Sequence, residues 1–160
     1  MRKIIPFLLL IALAFSACTS IDCPLNNRVY CKFKLAGTVT TLSDTLNIST
    51  DRSDGNDTVL INRDVNVDSF SLPMSYNHAE DVFFVERRDT SGMSTIDTVT
   101  IAKDNLPHFE SVDCSPAVFH ILKSVTYTKH DIDSIVIKNK NVTYDAAKAH
   151  FYIYFKHTGK

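Results

Sequence analysis

The sequence predicts an all-β protein, a two-sheet β-sandwich of immunoglobulin-like type, with a partly open β-barrel as the alternative. Apolar and polar residues alternate with a period of two in many segments, as they do in strands with one buried face. Turn signals such as Ser91-Gly92 separate these segments at spacings of about ten residues, which is typical of sandwiches and barrels. Helical patterning is limited to residues 144–150, which form either a helical turn or a loop before the last strand.

Ten segments have the strand pattern. In the first of them Cys31, Phe33 and Leu35 form an inward series, because lysines stand between them. Pro73 cannot donate a ladder hydrogen bond, so its strand is expected at a sheet edge or broken there. Turns are predicted at 54–55, 91–92, 105–107 and 138–141. The predicted strands are 29–35, 39–42, 46–49, 58–62, 69–76, 82–87, 98–103, 118–128, 134–138 and 151–156.

The first 17 residues have the features of a lipoprotein signal peptide. Arg2 and Lys3 form a positive n-region, and residues 4–15 are an apolar run that is too short to span a bilayer. Phe15-Ser16-Ala17-Cys18 resembles a bacterial lipobox, so we expect lipid attachment at Cys18, the first mature residue. The alternatives, an ordinary secretory signal or a short membrane anchor, also export the chain.

Lipidation at Cys18 sets the expected organisation and address of the chain. Residues 1–17 are the signal peptide, 18–27 a lipidated N terminus with a short tether, and 28–160 a single β-sandwich domain. Several acyl chains make such an anchor effectively permanent, so the membrane is the expected partner through Cys18. No acidic run follows Cys18, which favours an outer membrane lipoprotein that faces the periplasm.

Composition excludes several partners and chemistries. The formal net charge is −1 and the basic residues are scattered, so nucleic acid is not an expected partner. Four glycines leave no glycine-rich phosphate loop, and the Gly-x-Ser-x-Gly elbow of serine hydrolases is absent. We therefore expect no cofactor.

The six histidines do not have the spacing of a zinc site, and no metal is expected. The nearest ligand cluster is His130 with Asp131 and Asp133, but these are ordinary residues for a turn between two strands. His120 follows Phe119, which the alternation assigns to the core. We therefore expect His120 on the opposite sheet face, as a surface or hydrogen-bonded histidine.

Two other patterns are interpreted as structural. Residues 51–57 are rich in aspartate but lack the alternating ligands of a helix-loop-helix calcium site, and Asp54-Gly55 predicts a turn; weak calcium binding is the alternative. Tyr152 and Tyr154 alternate with the inward residues of the last strand. Packing under a loop is favoured for them over stacking on a sugar.

Three cysteines remain once Cys18 is lipidated, so in an oxidising compartment one of them stays free. Cys31 belongs to an inward series, where a thiol behaves as a small buried hydrophobe. Cys23 and Cys114 lie in loops beside prolines, and a Cys23–Cys114 disulfide is predicted. The rival pairs are Cys23–Cys31, which would pull a core residue out of register, and Cys31–Cys114.

Two groups of short motifs stand just after the lipobox and in the C-terminal part of the chain. They are Asp22-Cys23-Pro24-Leu25-Asn26-Asn27, Asp113-Cys114, Phe119-His120, Thr128, Ile132-Asp133-Ser134-Ile135 and Val142-Thr143-Tyr144-Asp145. Together they resemble an uncharacterised family of Bacteroidales lipoproteins, a domain of unknown function. The resemblance implies export and a Bacteroidota origin, and it transfers no catalytic residue.

Four triplets resemble the O-glycosylation sequon of exported Bacteroidota proteins, which is Asp, then Ser or Thr, then a small or aliphatic residue. The same triplet is also how a turn enters a strand, and both interpretations can hold at one site. The candidate acceptors are Thr45, Thr58, Thr98 and Ser134.

Two classes of function remain after these exclusions. The favoured hypothesis is a non-catalytic envelope lipoprotein that binds a protein or glycan of the envelope, because no catalytic motif stands out. The alternative is a small periplasmic hydrolase or metal-dependent enzyme that uses His120, His130 and nearby aspartates. Convergence of these histidines with carboxylates in one pocket would favour the enzyme.

Overall fold

The computed structural model describes Cys23 and residues 28–51, 57–145 and 147–156. Within these residues the regular structure is entirely β, which confirms the predicted all-β class. The same residues contain no helix that could cross a membrane. The strands are β1 Tyr30–Leu35, β2 Thr45–Thr50, β3 Thr58–Asp64, β4 Ser69–Pro73, β5 Glu80–Arg88, β6 Ser94–His108, β7 Ala117–Tyr127, β8 Ile132–Ile137, β9 Asn141–Val142 and β10 Phe151–Phe155.

The strands form two sheets, as predicted. The four-stranded sheet has the order β4-β1-β10-β8, and the six-stranded sheet has the order β3-β2-β5-β6-β7-β9. The pairings between these strands are antiparallel except for β1 with β10, which is parallel and joins the first strand to the last. β4 is an edge strand and ends at Pro73, so the prediction made from this proline is confirmed.

Apolar side chains that alternate along the strands form the core. Cys31, Phe33 and Leu35 on β1 are no more than 2 % exposed, as their period-two pattern predicts. Phe33 stacks on Phe70 and Phe151, with ring centroids 4.9 Å and 4.7 Å apart. Burying apolar surface of this kind stabilises the fold by roughly 25 cal/mol per Å².

Two local predictions are wrong, and a third is incomplete. Residues 39–42 do not form a strand, and Leu42 makes only an isolated bridge to Val67. The predicted turn at 105–107 lies inside β6, because the β6–β7 ladder continues to His108. β5 ends its pairing with β6 at Ala102, so this stretch has an open edge where Pro107 is tolerated. The predicted turn at 138–141 does join two strands, β8 and β9, but its last residue, Asn141, already belongs to the short strand β9.

Gly37 allows the chain to reverse directly after β1. Its φ of +88° lies in a region that residues with a side chain rarely adopt. A Cβ atom at this position would lie 2.8 Å from Cδ1 of Tyr154. Tyr154 thus packs against the backbone of this turn. Tyr152 has a different partner, because Nζ of Lys138 lies 5.1 Å from the centroid of its ring. Both tyrosines therefore have intramolecular packing partners, in agreement with the interpretation favoured for them.

The cysteines pair as the sequence favours. Cys23 and Cys114 form a disulfide, and Cys31 is a buried free thiol, so both rival pairings are excluded. Burial raises the pKa of the Cys31 thiol, and the charge of Asp81 raises it further. A thiol in this state is a poor nucleophile, and Cys31 serves as a core residue.

Candidate functional site

A groove crosses the outward face of the six-stranded sheet over β2, β3, β5 and β6. Its floor consists of cross-strand neighbours, because residues opposite each other in a ladder lie on the same sheet face. Asn47 is opposite Glu86, which is opposite Ile96, and Ser49 is opposite Phe84. The groove has a volume of about 770 Å³, and its walls include Thr45, Val59, Asn62, Arg63 and Arg88.

Polar side chains in this groove hold one another in place. Asn47 Nδ2 donates to Glu86 Oε2 at 2.9 Å, and Arg88 Nη2 donates to Glu86 Oε1 at 3.0 Å. Asn47 Oδ1 accepts the main-chain N–H of Arg63 at 2.8 Å. The hydrogen bond from Arg88 lowers the pKa of Glu86 more than partial burial raises it. Glu86 is therefore an ionised acceptor in a fixed position at neutral pH.

The wall formed by β3 is irregular. The register of β2 with β3 shifts on both sides of Ile48, and such bulges redirect the side chains next to them. Arg63 has a φ of 55°, which is uncommon for a residue other than glycine. Its N–H nevertheless has a partner in Asn47, so this strained backbone is tied to the polar row of the groove.

The groove combines planar polar groups with apolar surface. The amide of Asn47, the carboxylate of Glu86 and the guanidinium of Arg88 offer donors and acceptors in a set geometry. Val59 and Ile96 are 60 % and 52 % exposed beside them, and Phe84 is half-buried between. A ligand that fits this surface has both hydrogen-bonding groups and C–H faces, as an oligosaccharide does.

His120, a histidine of the alternative enzyme hypothesis, is buried and belongs to a polar network away from the groove. Its Nδ1 lies 2.8 Å from Oδ1 of Asn105, whose Nδ2 donates to the carbonyls of Tyr76 and His78. Because the Asn105 oxygen can only accept, Nδ1 of His120 carries the proton. Burial lowers the pKa of His120 to about 4, and the charge of Lys103 adds to this effect. His120 is thus neutral at neutral pH.

The prediction that His120 points away from the core is wrong, and a bulge in β7 is the reason. The β6–β7 register shifts after Ala102, which leaves Lys123 as an extra residue on β7. One extra residue exchanges the two faces along the rest of a strand. His120 therefore faces inward and is buried. Phe119 is half-buried at the margin of the core, and its ring stacks on that of His108 with the centroids 4.1 Å apart.

His130 lies at the opposite end of β7, in the turn that leads to β8. Its side chain is exposed, and its main-chain N–H donates to Asp97 Oδ1 at 2.8 Å. Asp97 is buried and also accepts the N–H groups of Asp131 and Ile132, at 2.7 Å each, and the hydroxyl of Thr128 at 2.6 Å. These bonds support the interpretation of this segment as a turn.

The acidic neighbour of His130 has a structural partner. Asp131 Oδ1 lies 2.7 Å from Nη2 of Arg87, and both side chains are buried. Burial raises the pKa of Asp131, although the charge of Arg87 opposes the shift. Asp44 lies 3.6 Å from the same guanidinium and completes a three-residue ion cluster. This cluster closes the end of the sandwich near the β7–β8 turn.

The structure does not bring the candidate histidines together in the groove. His120 and His130 belong to the separate networks described above, and neither lines the groove. His150 is buried and accepts the N–H of Lys32 through Nδ1 at 2.9 Å, and burial lowers its pKa. Among the described residues, no three His, Cys, Asp or Glu side chains are placed to hold a metal ion.

The candidate glycosylation sites lie in β-strands, and Cys18 lies outside the described residues. Thr45 lines the groove, so a glycan attached there would occupy it. Thr58, Thr98 and Ser134 lie in strands and are half-buried, and O-glycosylation at all four positions stays a prediction. Cys18, the signal peptide and most of the aspartate-rich 51–57 turn lie outside the described residues.

Comparison with known protein families shows the family to which the chain belongs. Residues 45–155 match a family described as a family of unknown function, DUF6452. The chain belongs to the DUF6452 family. The matched region runs from the first residue of β2 to the last residue of β10, so the four groove strands of this DUF6452 protein lie within it. Neither a curated protein nor a solved structure matches the chain.

The groove of this DUF6452 protein was not predicted from its sequence. Its central residues Asn47, Glu86 and Arg88 come from two strands, and their contact depends on a register that no local motif encodes. The available signal was alternation: Glu86 stands between the inward residues Val85 and Arg87 of β5, and Arg88 ends the strand directly after Arg87. That signal predicts an outward face but not which strands share it.

Proposed function

We propose that this protein is a lipid-anchored, non-catalytic module of the cell envelope that binds an oligosaccharide in the β2-β3-β5-β6 groove. The observation that carries the proposal is the row of Asn47, Glu86 and Arg88, in which each polar group is already oriented by its neighbour. Side chains fixed before binding lose less conformational freedom when a ligand arrives. The hydroxyl groups of an oligosaccharide would form hydrogen bonds with this row, and its C–H faces would pack against Ile96 and Val59.

The proposed address rests on the N-terminal sequence. Arg2 and Lys3, the apolar run at 4–15 and the lipobox ending at Cys18 have the order of a lipoprotein signal. We infer an outer membrane lipoprotein facing the periplasm, where the polymers within reach include peptidoglycan and the envelope's oligosaccharides. The non-catalytic role is supported by the structural partners that Asp97, Asp131 and His120 have inside the fold.

Isothermal titration calorimetry of the mature protein tests the groove. The probes are soluble peptidoglycan fragments and oligosaccharides released from the host's lipopolysaccharide. Glu86→Gln should weaken binding about tenfold or more, because a hydrogen bond to a charged group is worth about 1.5–3 kcal/mol. Glu80→Gln, an exposed change on the same strand outside the groove, is the matched control and should leave the affinity unchanged. The proposal would be contradicted if neither probe bound, or if the two variants lost affinity equally.

Cell fractionation tests the anchor separately. The wild-type protein should incorporate labelled fatty acid and stay in the membrane pellet after a carbonate wash. Cys18→Ser should incorporate no label and appear in the soluble fraction. A Cys18→Ser protein that stays in the pellet, together with an unlabelled wild type, would show that Cys18 is not the anchor.

A further inference from the structure

The β6–β7 hairpin ends in a tip with exposed apolar side chains. We define the hairpin tip as residues 106–116, which are the last three residues of β6 and the loop that leads to β7. Val112 is 100 % exposed, Phe109 is 66 % exposed and Leu106 is 44 % exposed. Water contact with this much apolar surface at the end of one hairpin is unfavourable, which indicates a contact surface.

The disulfide fixes the hairpin tip close to the N-terminal end of the mature chain. Cys114 belongs to the tip and is bonded to Cys23. Cys18 precedes Cys23 by five residues, and five residues span at most about 18 Å. Because the Cα atoms of Cys23 and Cys114 are 5.4 Å apart, a lipid on Cys18 would hold Cys114 within about 23 Å of the bilayer surface.

We propose that the hairpin tip is a membrane-contact surface, which places Phe109 and Val112 in the interface of the bilayer that carries the lipid anchor. This inference rests on the lipid anchor of the proposed function and adds a second contact to it. Lipid is the occupant that the tether selects, because it brings the tip to a bilayer whatever else the protein binds. Apolar side chains held at the bilayer surface are more stable at the boundary between headgroups and acyl chains than in water.

The polar residues of the tip limit how deeply it can insert into the bilayer. Glu110 and Asp113 are exposed, and Glu110 Oε1 lies 3.0 Å from Nε2 of His108. Acidic groups are not drawn into an anionic surface, so they remain among the headgroups and in water. The contact is therefore shallow and uses the apolar side chains alone.

Single-tryptophan fluorescence tests the contact, because the chain contains no tryptophan of its own. Phe109→Trp and Val112→Trp are made in the full mature lipoprotein and reconstituted into vesicles of phosphatidylethanolamine and phosphatidylglycerol. Met93→Trp, an exposed apolar position just before β6 and therefore at the other end of that strand from the tip, is the matched control. We expect a blue-shifted emission and quenching by brominated acyl chains for both tip variants, and neither effect for the control. Unquenched tip tryptophans in vesicle-bound protein would overturn the inference.

Two further measurements separate the possible failures. Intact-mass analysis and vesicle flotation show whether the protein carries the lipid and binds; an unlipidated protein that does not float would overturn the anchor and this inference together. A lipidated, floating protein with an unquenched tip would overturn this inference alone. In the Phe109→Trp protein, the added change Cys23→Ser with Cys114→Ser should reduce quenching. Unchanged quenching would show that the disulfide does not hold the tip at the membrane.

Discussion

Lys103 and Asp81 form an ion pair inside the protein, with Nζ of Lys103 3.2 Å from Oδ2 of Asp81. The Lys103 side chain has no exposed surface, and its ammonium also donates to the carbonyl of His78 at 2.6 Å. Burial raises the pKa of Asp81, while the charge of Lys103 opposes the shift. The two residues end the inward rows of β5 and β6, and Arg87 and Asp97 end the same rows at the other side. Charged residues thus close the apolar core at both ends.

Lys103→Met should therefore destabilise the fold by about 3–5 kcal/mol, because it leaves the Asp81 carboxylate buried without its partner. The double change Lys103→Met with Asp81→Asn should recover part of this loss, since no lone charge stays buried. Urea unfolding measures both values. Lys123→Met is the matched control on β7: its exposed pair with Asp104 should contribute no more than about 1 kcal/mol. Equal effects of the two lysine changes would contradict the structural role given to Lys103.

Asp97→Asn should lower the free energy of unfolding at pH 7 by about 3 kcal/mol, because an amide cannot accept all the donors that now point at the carboxylate. Urea unfolding of the wild type and the variant gives the difference. Asp133→Asn is the control: Asp133 is an exposed neighbour that bonds only Ser134 among the described contacts, so about 0.5 kcal/mol or less is expected.

The effect of Asp97→Asn should also depend on pH. Burial alone would raise the pKa of Asp97, but hydrogen bonds from Thr128, His130, Ile132 and Asp131 outweigh it and hold the pKa below the ordinary value of 3.8. A carboxyl group with a depressed folded pKa stabilises the protein above its unfolded pKa and loses this contribution as the pH falls through its folded value. The stability difference between wild type and variant should accordingly shrink below about pH 4. A difference that grows in acid would contradict this account.

Removing the disulfide should cost about 4.5 kcal/mol in the chain-entropy description, because the bond closes a loop of 91 residues. The double variant Cys23→Ser with Cys114→Ser should unfold at lower urea concentration than the wild type. The wild type in reductant should match the variant. Non-reducing peptide mapping should find Cys31 as an unmodified thiol, and a mixed disulfide at Cys31 would argue against the pairing.

Gly37→Ala and Gly92→Ala separate two costs of replacing a glycine. Both residues have positive φ, 88° and 89°, but a Cβ at Gly92 has no atom within 4 Å, whereas a Cβ at Gly37 would meet the ring of Tyr154 at 2.8 Å. Gly92→Ala should cost about 1 kcal/mol from the backbone conformation alone. Gly37→Ala should cost about 1–3 kcal/mol more from the overlap. Thermal unfolding measures both, and equal losses would mean that Tyr154 moves aside freely.

Features that depend on a local pattern could be predicted from the sequence. Alternation predicted the inward faces of β1 and β10, and Pro73 predicted an edge, because each conclusion needs only neighbouring residues. The cysteine pairing followed from the same faces, since an inward Cys31 could not join a loop cysteine without leaving the core. In these cases one physical rule controls the outcome.

Other features depended on contacts between distant segments. The burial of His120 follows from one extra residue at Lys123, which no rule of alternation detects. Asp97 was expected at the entry to a strand, but its role is to bind the turn 128–132 from the neighbouring strand. The groove required the register of four strands. Such contacts are set by tertiary packing, which the local sequence does not specify.

The parallel pairing of β1 with β10 has a consequence for the order of assembly. Lys32 and His150, at the contact of these strands, are 118 residues apart, whereas β5, β6 and β7 are joined in sequence by hairpins. Pairing distant segments is slow because a long loop must close first. During synthesis β1 emerges early, and the edge of β1 that pairs with β10 has no partner until the end of the chain has been made. We therefore expect newly made chains to need protection of β1 against proteases and aggregation during that interval.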